Sequence, residues 1–191
     1  SDLQMFRAYQ VFKAALLAVG LSFAAAPAGA QSSLETGAQA RRHLRALVLI
    51  DTSNPPGRER PAADYIKDQL DVAGIPAELY PSTGSRASLF SRHKGSGAKR
   101  PLMLVCHLDT VPAERSEWSV DPFGAVEKDG YLYGRGAADN KSMCAAHLAV
   151  LVSLKLSSAV LDRDVVFFAA ADEESGETER HIDRLLRERP E

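Results

Sequence analysis

Cysteine is scarce, with two in 191 residues and no C-x-x-C spacing, so neither a disulfide-built scaffold nor a thiolate zinc knuckle is available. Charge of one sign is also missing. There are 23 basic and 25 acidic side chains, a formal net charge of -2, and no long basic run. Such a chain has no surplus of Lys and Arg to displace phosphate counterions, which argues against a nucleic-acid partner. The 13 glycines and 10 prolines follow no period, which excludes a collagen-like or proline-rich rod. No repeat or low-complexity block follows Gln31. Long hydrophobic runs are lacking too: the most apolar stretch, Ala14 to Ala26, is 13 residues long. A helix crossing a bilayer core needs roughly 20. What is present, 45% hydrophobic and 25% charged residues, is the composition of an ordinary globular domain.

The short apolar stretch reads as an address. Arg7 and Lys13 precede it, and Pro27 and the small triplet Ala28-Gly29-Ala30 follow. That is the pattern of a secretory signal peptide. The expectation is a signal peptide over residues 1–30, cleaved after Ala30, and an exported chain, periplasmic or extracellular, over residues 31–191. Membrane contact is then expected only through the export signal.

Beyond it, apolar residues at Ala40, Leu44, Leu47 and Val48 step as one face of a helix running from Thr36 to about Ile50, stopped by Asn54-Pro55-Pro56-Gly57. Ala62, Ile66, Leu70 and Ala73 predict a second helix ending at Gly74. Short strands are expected over residues 75–80 and 87–92. Leu102–Cys106 and Val165–Ala171 are continuous apolar runs, read as strands covered on both faces. Between them Met143, Ala146, His147, Val150, Leu151 and Leu154 mark a helix, and Asp129-Gly130 marks a hairpin turn. Helices interleaved with buried strands imply an α/β layered sheet with helices on both faces.

Polar groups held rigidly at a cleft are best sought where buried strands end. Three clusters lie there. His107-Leu108-Asp109 follows the first strand. Residues two apart on an extended segment share a face, so Asp109 can accept from one nitrogen of His107 while the other nitrogen binds a metal. Cys106 then points the other way, and both it and Cys144 are expected as buried thiols. The loop Gly134-Arg135-Gly136-Ala137-Ala138-Asp139 places a carboxylate ahead of the Met143 helix, where a plain helix cap is the competing reading. Asp172-Glu173-Glu174 closes the Val165 strand. So dense an acidic patch beside a buried strand calls for a cation. One imidazole and several carboxylates suit zinc, or manganese or cobalt where oxygen donors predominate. The glycine loop lacks the Lys and Ser/Thr placement of a P-loop.

In order along the chain, residues 104–112, Trp118, Asp121-Pro122-Phe123, residues 129–141 and Asp172-Glu173-Glu174-Ser175-Gly176 resemble the aminoacylase family of zinc peptidases, which includes acetylornithine deacetylase, succinyl-diaminopimelate desuccinylase, glutamate carboxypeptidases and dipeptidases. The likeness runs from Ile50-Asp51-Thr52-Ser53-Asn54-Pro55-Pro56-Gly57 to Gly176, with 32 residues separating His107 from Asp139 and 34 separating Asp139 from Glu173. It implies a zinc-peptidase-like catalytic domain of three layers and two divalent metal ions, zinc first, with cobalt or manganese as alternatives. His107 would bind one ion, Asp139 would bridge both, Glu174 would bind the other, Asp109 would orient His107, and Glu173 would be the general base. The implied substrates are peptides or N-acyl amino acids, and the implied full-length assembly is a homodimer.

Two features depart from the family pattern. Asn140 stands where Met is frequent and Glu177 where Gly is frequent. Family members are also longer, with further ligands and an inserted lid domain. Residues 31–191 are therefore expected to be the N-terminal part of a catalytic domain. The alternative reading of the chain is an inactive truncated fragment that binds metal weakly or not at all. Of the other histidines, His43 and His181 are expected as exposed helix positions, His93 in a loop and His147 in helix packing. Asn140-Lys141-Ser142 matches a glycosylation sequon by accident.

Overall fold

The computed structural model describes residues 28–80, 84–175 and 179–190. Of the expected signal peptide, all but Ala28–Ala30 lies outside the described residues. Helix α1 spans Ala28–Val48, starting well ahead of Thr36. Its first turns carry no apolar period, so no burial signal announces them. Among the described residues no helix is long and apolar enough to cross a membrane. The elements past residue 31 form one compact unit.

Helix α2, Arg60–Val72, buries Ala62, Ala63, Ile66 and Leu70 on one stripe, has Pro61 in its first turn, and is followed by Gly74 at φ +68°. Four strands build the main sheet: β1 (Ala77–Tyr80), β2 (Ser88–His93), β3 (Leu102–His107) and, further along, β6 (Val165–Ala170). A separate hairpin joins β4 (Val126–Lys128) to β5 (Tyr131–Tyr133) through Asp129-Gly130, both at positive φ, as the sequence predicts. Helix α3 covers Lys141–Leu156 and helix α4 covers His181–Glu188.

The sheet order is β1-β2-β6-β3. β1 with β2 and β2 with β6 are antiparallel, while β3 and β6 run parallel with His107 opposite Ala170. This parallel pair, crossed over by α3, decides the site, because it brings the ends of two strands and the segments just past them to one edge. β6 alternates its faces: Val165, Phe167 and Ala169 pack with Leu47, Ile66, Leu70, Leu148 and Leu151 from the first three helices. Val166, Phe168 and Ala170 pack with Tyr80, Phe90 and Leu185, the last from α4. Helices therefore lie on both faces, as expected. β6 is buried at all six positions. β3 is not, and corrects the expectation that it is covered on both faces: Leu102 and Val105 are nearly half exposed, because β3 is an outer strand of the order.

The two cysteines also correct the sequence reading. Cys106 and Cys144 are joined in a disulfide, their Cα atoms 5.3 Å apart. Alternation turned Cys106 away from the His107 face, as expected, but that direction leads to the buried side of α3, where Cys144 stands one turn from the helix start.

Asp164, just before β6, is nearly buried and accepts from the Gly95 N–H at 2.8 Å, Lys94 Nζ at 2.9 Å and Arg92 Nε at 2.7 Å. The Gly95 amide first, then the two cations, hold its carboxyl well below the usual carboxylate range. A carboxyl whose pKa is lower folded than unfolded contributes stability above its unfolded value, about 3.9, and that stability is lost as pH falls further. Asp164→Asn is expected to lower the urea midpoint at pH 7 and to flatten its decline between about pH 4 and pH 2. Parallel declines in wild type and variant would refute this.

Candidate metal centre

His107 ends β3, and its ring is fixed from behind. Nδ1 lies 3.0 Å from the Asp109 carbonyl oxygen and 3.3 Å from Asp109 Oδ1, so it donates to Asp109. Nε2 then faces Asp139 Oδ1 at 2.9 Å. Burial works against charge on this imidazole, but hydrogen bonds to Asp109 and Asp139 together outweigh it and push the pKa up to about 9. A ring that attracts a proton this strongly at Nε2, between oxygen donors, offers the same lone pair to a divalent cation.

Asp109 is fully buried and collects donors from three directions: the Glu174 N–H at 2.8 Å, the Glu173 N–H at 3.2 Å and Asn54 Nδ2 at 3.3 Å. Burial alone would raise its pKa, yet the bonds from His107, Glu174 and Asn54 leave it below its ordinary value. One carboxylate thus fixes both the imidazole after β3 and the acidic turn after β6.

Asp139 sits at the end of a loop that packs against the same strand end. Gly136 has φ +78°, and a Cβ there would come within 2.6 Å of Thr110 Cγ2, so only glycine fits. Asp139 is not the cap of α3. The capping position is Asn140, joined to Asp139 by a cis peptide bond, and Asn140 makes no cap bond either; its Oδ1 accepts the His107 N–H at 3.1 Å. Lys141 next to it is fully buried, its Nζ donating to the carbonyls of Leu47 at 3.0 Å and Ile50 at 2.7 Å, with burial lowering its pKa to about 8.

Glu174 completes a set. One ligand atom each from His107, Asp139 and Glu174 lies within 4.8 Å of the others. Burial, set against the attraction of His107, raises the Glu174 pKa, and the neighbouring Glu173, Asp139 and Asp109 raise it further. Asp139 is 79% exposed, so an ion can enter from solvent. Glu173 lines a cleft of about 310 Å³ together with His107, Asp139, Asn140 and Arg180. One imidazole and two carboxylates make a fitting donor set for zinc or another divalent ion. All five site residues read from the sequence, His107, Asp109, Asp139, Glu173 and Glu174, meet at this one strand edge.

Sequence reasoning missed the supporting polar groups. Asn54 bonds to Asp109 and Asn140 to the His107 N–H, Arg86 and Ser88 bond to Ala171 ahead of the acidic turn, and Glu59 holds Arg86. None sits in a spacing that signals this role, and only the Asn54-Pro55-Pro56-Gly57 motif hinted at the first. Three histidines differ from expectation. His43 is half-buried with Nδ1 2.9 Å from the Tyr65 hydroxyl, His181 is half-buried with Nδ1 2.7 Å from Ser88 Oγ, and His93 closes β2 rather than lying in a loop. His147 packs edge-on to Phe167, as expected of a packing residue.

Known proteins share the fold that carries this site. Human carnosine dipeptidase 1 superposes with a TM-score of 0.69 at 22% identity, over 83% of this chain and 36% of that one. An M20 family metallo-carboxypeptidase from Sulfolobus solfataricus superposes with a TM-score of 0.67 at 24% identity, over 78% and 34%. These likenesses define the class of fold, the α/β catalytic domain of M20 metallopeptidases. A probable succinyl-diaminopimelate desuccinylase of Staphylococcus epidermidis is 33% identical over 147 residues, 76% of this chain and 34% of its own. Aminoacylase-1 of Dictyostelium discoideum is 27% identical over 144 residues, 75% and 35%. Residues 103–191 match the model of peptidase family M20/M25/M40 as well, so the chain is similar to that family in sequence and in fold. It spans about a third of the length of these relatives.

Proposed function

We propose that the protein is a metal-dependent hydrolase of amide or peptide bonds, of deacylase, carboxypeptidase or dipeptidase type. The observation that carries this is the convergence of His107, Asp139 and Glu174 donor atoms within 4.8 Å, with Glu173 lining the cleft that His107 and Asp139 also line. His107, Asp139 and Glu174 would hold the metal, zinc first, whether one ion or two. Bound there, a metal would supply Lewis acidity toward the amide carbonyl and toward water. The remaining work falls to the chain. Glu173 takes a proton from the attacking water and delivers it to the departing amine. Asp109 keeps the His107 ring turned so that Nε2 faces the donors, and its hold on the Glu173 and Glu174 amides keeps base and ligand in register. The substrate class is a peptide or N-acyl amino acid. The buried Cys106–Cys144 disulfide supports the exported location that the leader suggests, since such bonds persist in oxidising compartments.

The test is turnover of a panel of N-acyl amino acids and dipeptides by the complete gene product, before and after removal of metal by a chelator. Activity is expected to vanish on chelation and return with zinc; undiminished turnover without metal refutes the assignment. One observation favours a second reading for isolated residues 31–191. Among the described residues only three donor atoms converge, so two ions would have two protein ligands each even if Asp139 served both, where a catalytic zinc takes three. The isolated segment is accordingly expected to bind zinc without turning over the panel.

A further inference from the structure

Under the metal centre lies a polar strut that supplies none of its donors. The loop from Asp51 to Glu59 is fastened at one end to the strand end carrying Asp109: Thr52 Oγ1 donates to the Leu108 carbonyl at 2.7 Å, and the Asn54 N–H donates to that of Thr110 at 2.8 Å. At its other end the loop meets Arg86. Gly57, at φ +80°, passes so close that a Cβ would lie 2.8 Å from Arg86 Nε. Glu59, fully buried, accepts from Arg86 Nε at 3.2 Å. The same guanidinium reaches on through Nη2 to the carbonyl of Ala171 at 2.6 Å.

Ala171 is the residue at which β6 leaves the sheet and the Asp172-Glu173-Glu174 turn begins. It is fully buried and lies past the last ladder pair, so its backbone needs partners from elsewhere. Ser88 Oγ accepts its N–H at 3.0 Å, and Arg86 serves its carbonyl. Stability is a poor reason to keep such an ion pair inside, because desolvation consumes most of its attraction and apolar groups of like volume serve as well. Directional grip is a better one. The rigid guanidinium plane sends one N–H to Glu59 and another to Ala171 at a fixed angle, which an ammonium on a flexible stem does not reproduce.

We propose that Arg86, held by Glu59, is a positioning residue for the Glu173–Glu174 pair: it fixes the carbonyl from which the acidic turn springs and ties that turn, through the loop at residues 51–59, to the strand end bearing His107 and Asp109. This rests on the reading of Glu174 as a ligand. Zinc binding by the complete protein, measured calorimetrically with the metal alone, tests it. Arg86→Met and Arg86→Lys are both expected to weaken zinc affinity about tenfold or more, the scale seen when partners of metal ligands are lost. Glu59→Gln, which keeps a neutral acceptor for Nε, is expected to weaken it less. Leu70→Ala, a core cut in α2, serves as the control for general destabilisation and is expected to lower the melting temperature while leaving the affinity of the folded protein unchanged. A cobalt-loaded sample adds a signature that loss of stability does not move: its visible absorption should change shape in the Arg86 variants and stay as in wild type for Leu70→Ala. If Arg86→Lys binds zinc as wild type does, or no worse than Leu70→Ala, the proposal is overturned. Glu174→Gln separates the two failures. Loss of affinity there with Arg86 variants intact sinks the positioning role alone, whereas wild-type affinity in Glu174→Gln sinks the reading of the centre and the proposal with it.

Discussion

Glu173→Gln in the complete protein is expected to lower kcat by about a hundred- to ten-thousand-fold, the usual contribution of a positioned acid–base group. Zinc affinity should stay within about twofold of wild type, because the three donors that converge are His107, Asp139 and Glu174 and the exposed Glu173 side chain is not among them. The amide is isosteric and its backbone N–H still donates to Asp109, so the turn is preserved. A fall in kcat with KM unchanged marks the loss of a group acting in the transition state. Near-wild-type turnover in this variant would mean that another residue takes the proton. A parallel loss of zinc would mean that Glu173 is a ligand instead.

Asp109→Asn should damage the centre without touching any donor atom directly. The carboxylate oxygens accept from His107, from two backbone amides and from Asn54, and all of these bonds run inward to a fully buried group. An asparagine turns one acceptor into a donor that faces N–H groups, leaving at least one of them unpaired. Breaking one side of such a buried arrangement costs about 3–5 kcal/mol of stability. Zinc affinity is expected to fall about 10- to 100-fold as the His107 ring loses its orientation. Calorimetric titration with zinc and urea melts together check both effects. A variant that keeps wild-type affinity despite lowered stability would reduce Asp109 to a packing role.

Much of the site was legible because its residues stand where apolar runs stop. Val165–Ala171 announces a buried strand by composition alone, and His107 and the Glu pair come directly after such runs. The period-2 geometry of an extended chain was enough to place Asp109 behind His107 and Cys106 on the opposite side. It did not reveal what awaited Cys106 there, because the distance to Cys144 depends on how the crossover helix α3 is laid on the sheet, which no local spacing encodes. The exposure of β3 escaped for a similar reason: an apolar run looks the same whether its strand is central or outermost. Arg86, Glu59 and Asn140 were invisible because their roles lie in tertiary hydrogen bonds to backbone groups and buried partners, not in any repeat of residue types. From the sequence Asp139 could equally have been a cap; its position opposite His107 Nε2, with Asn140 at the capping position of α3, separates the two uses.

The parallel pairing of β3 with β6 has a consequence for how the protein comes into being. Two of the donors sit at the far ends of strands that cannot meet until the whole intervening helical connection has been threaded, and contacts so remote along the chain are slow to form. A nascent polypeptide leaving the ribosome therefore carries His107 long before it owns a binding pocket. On the proposed reading a metal would not template the early chain; it would capture a domain that has already closed, and its affinity would add to the stability of that closed form.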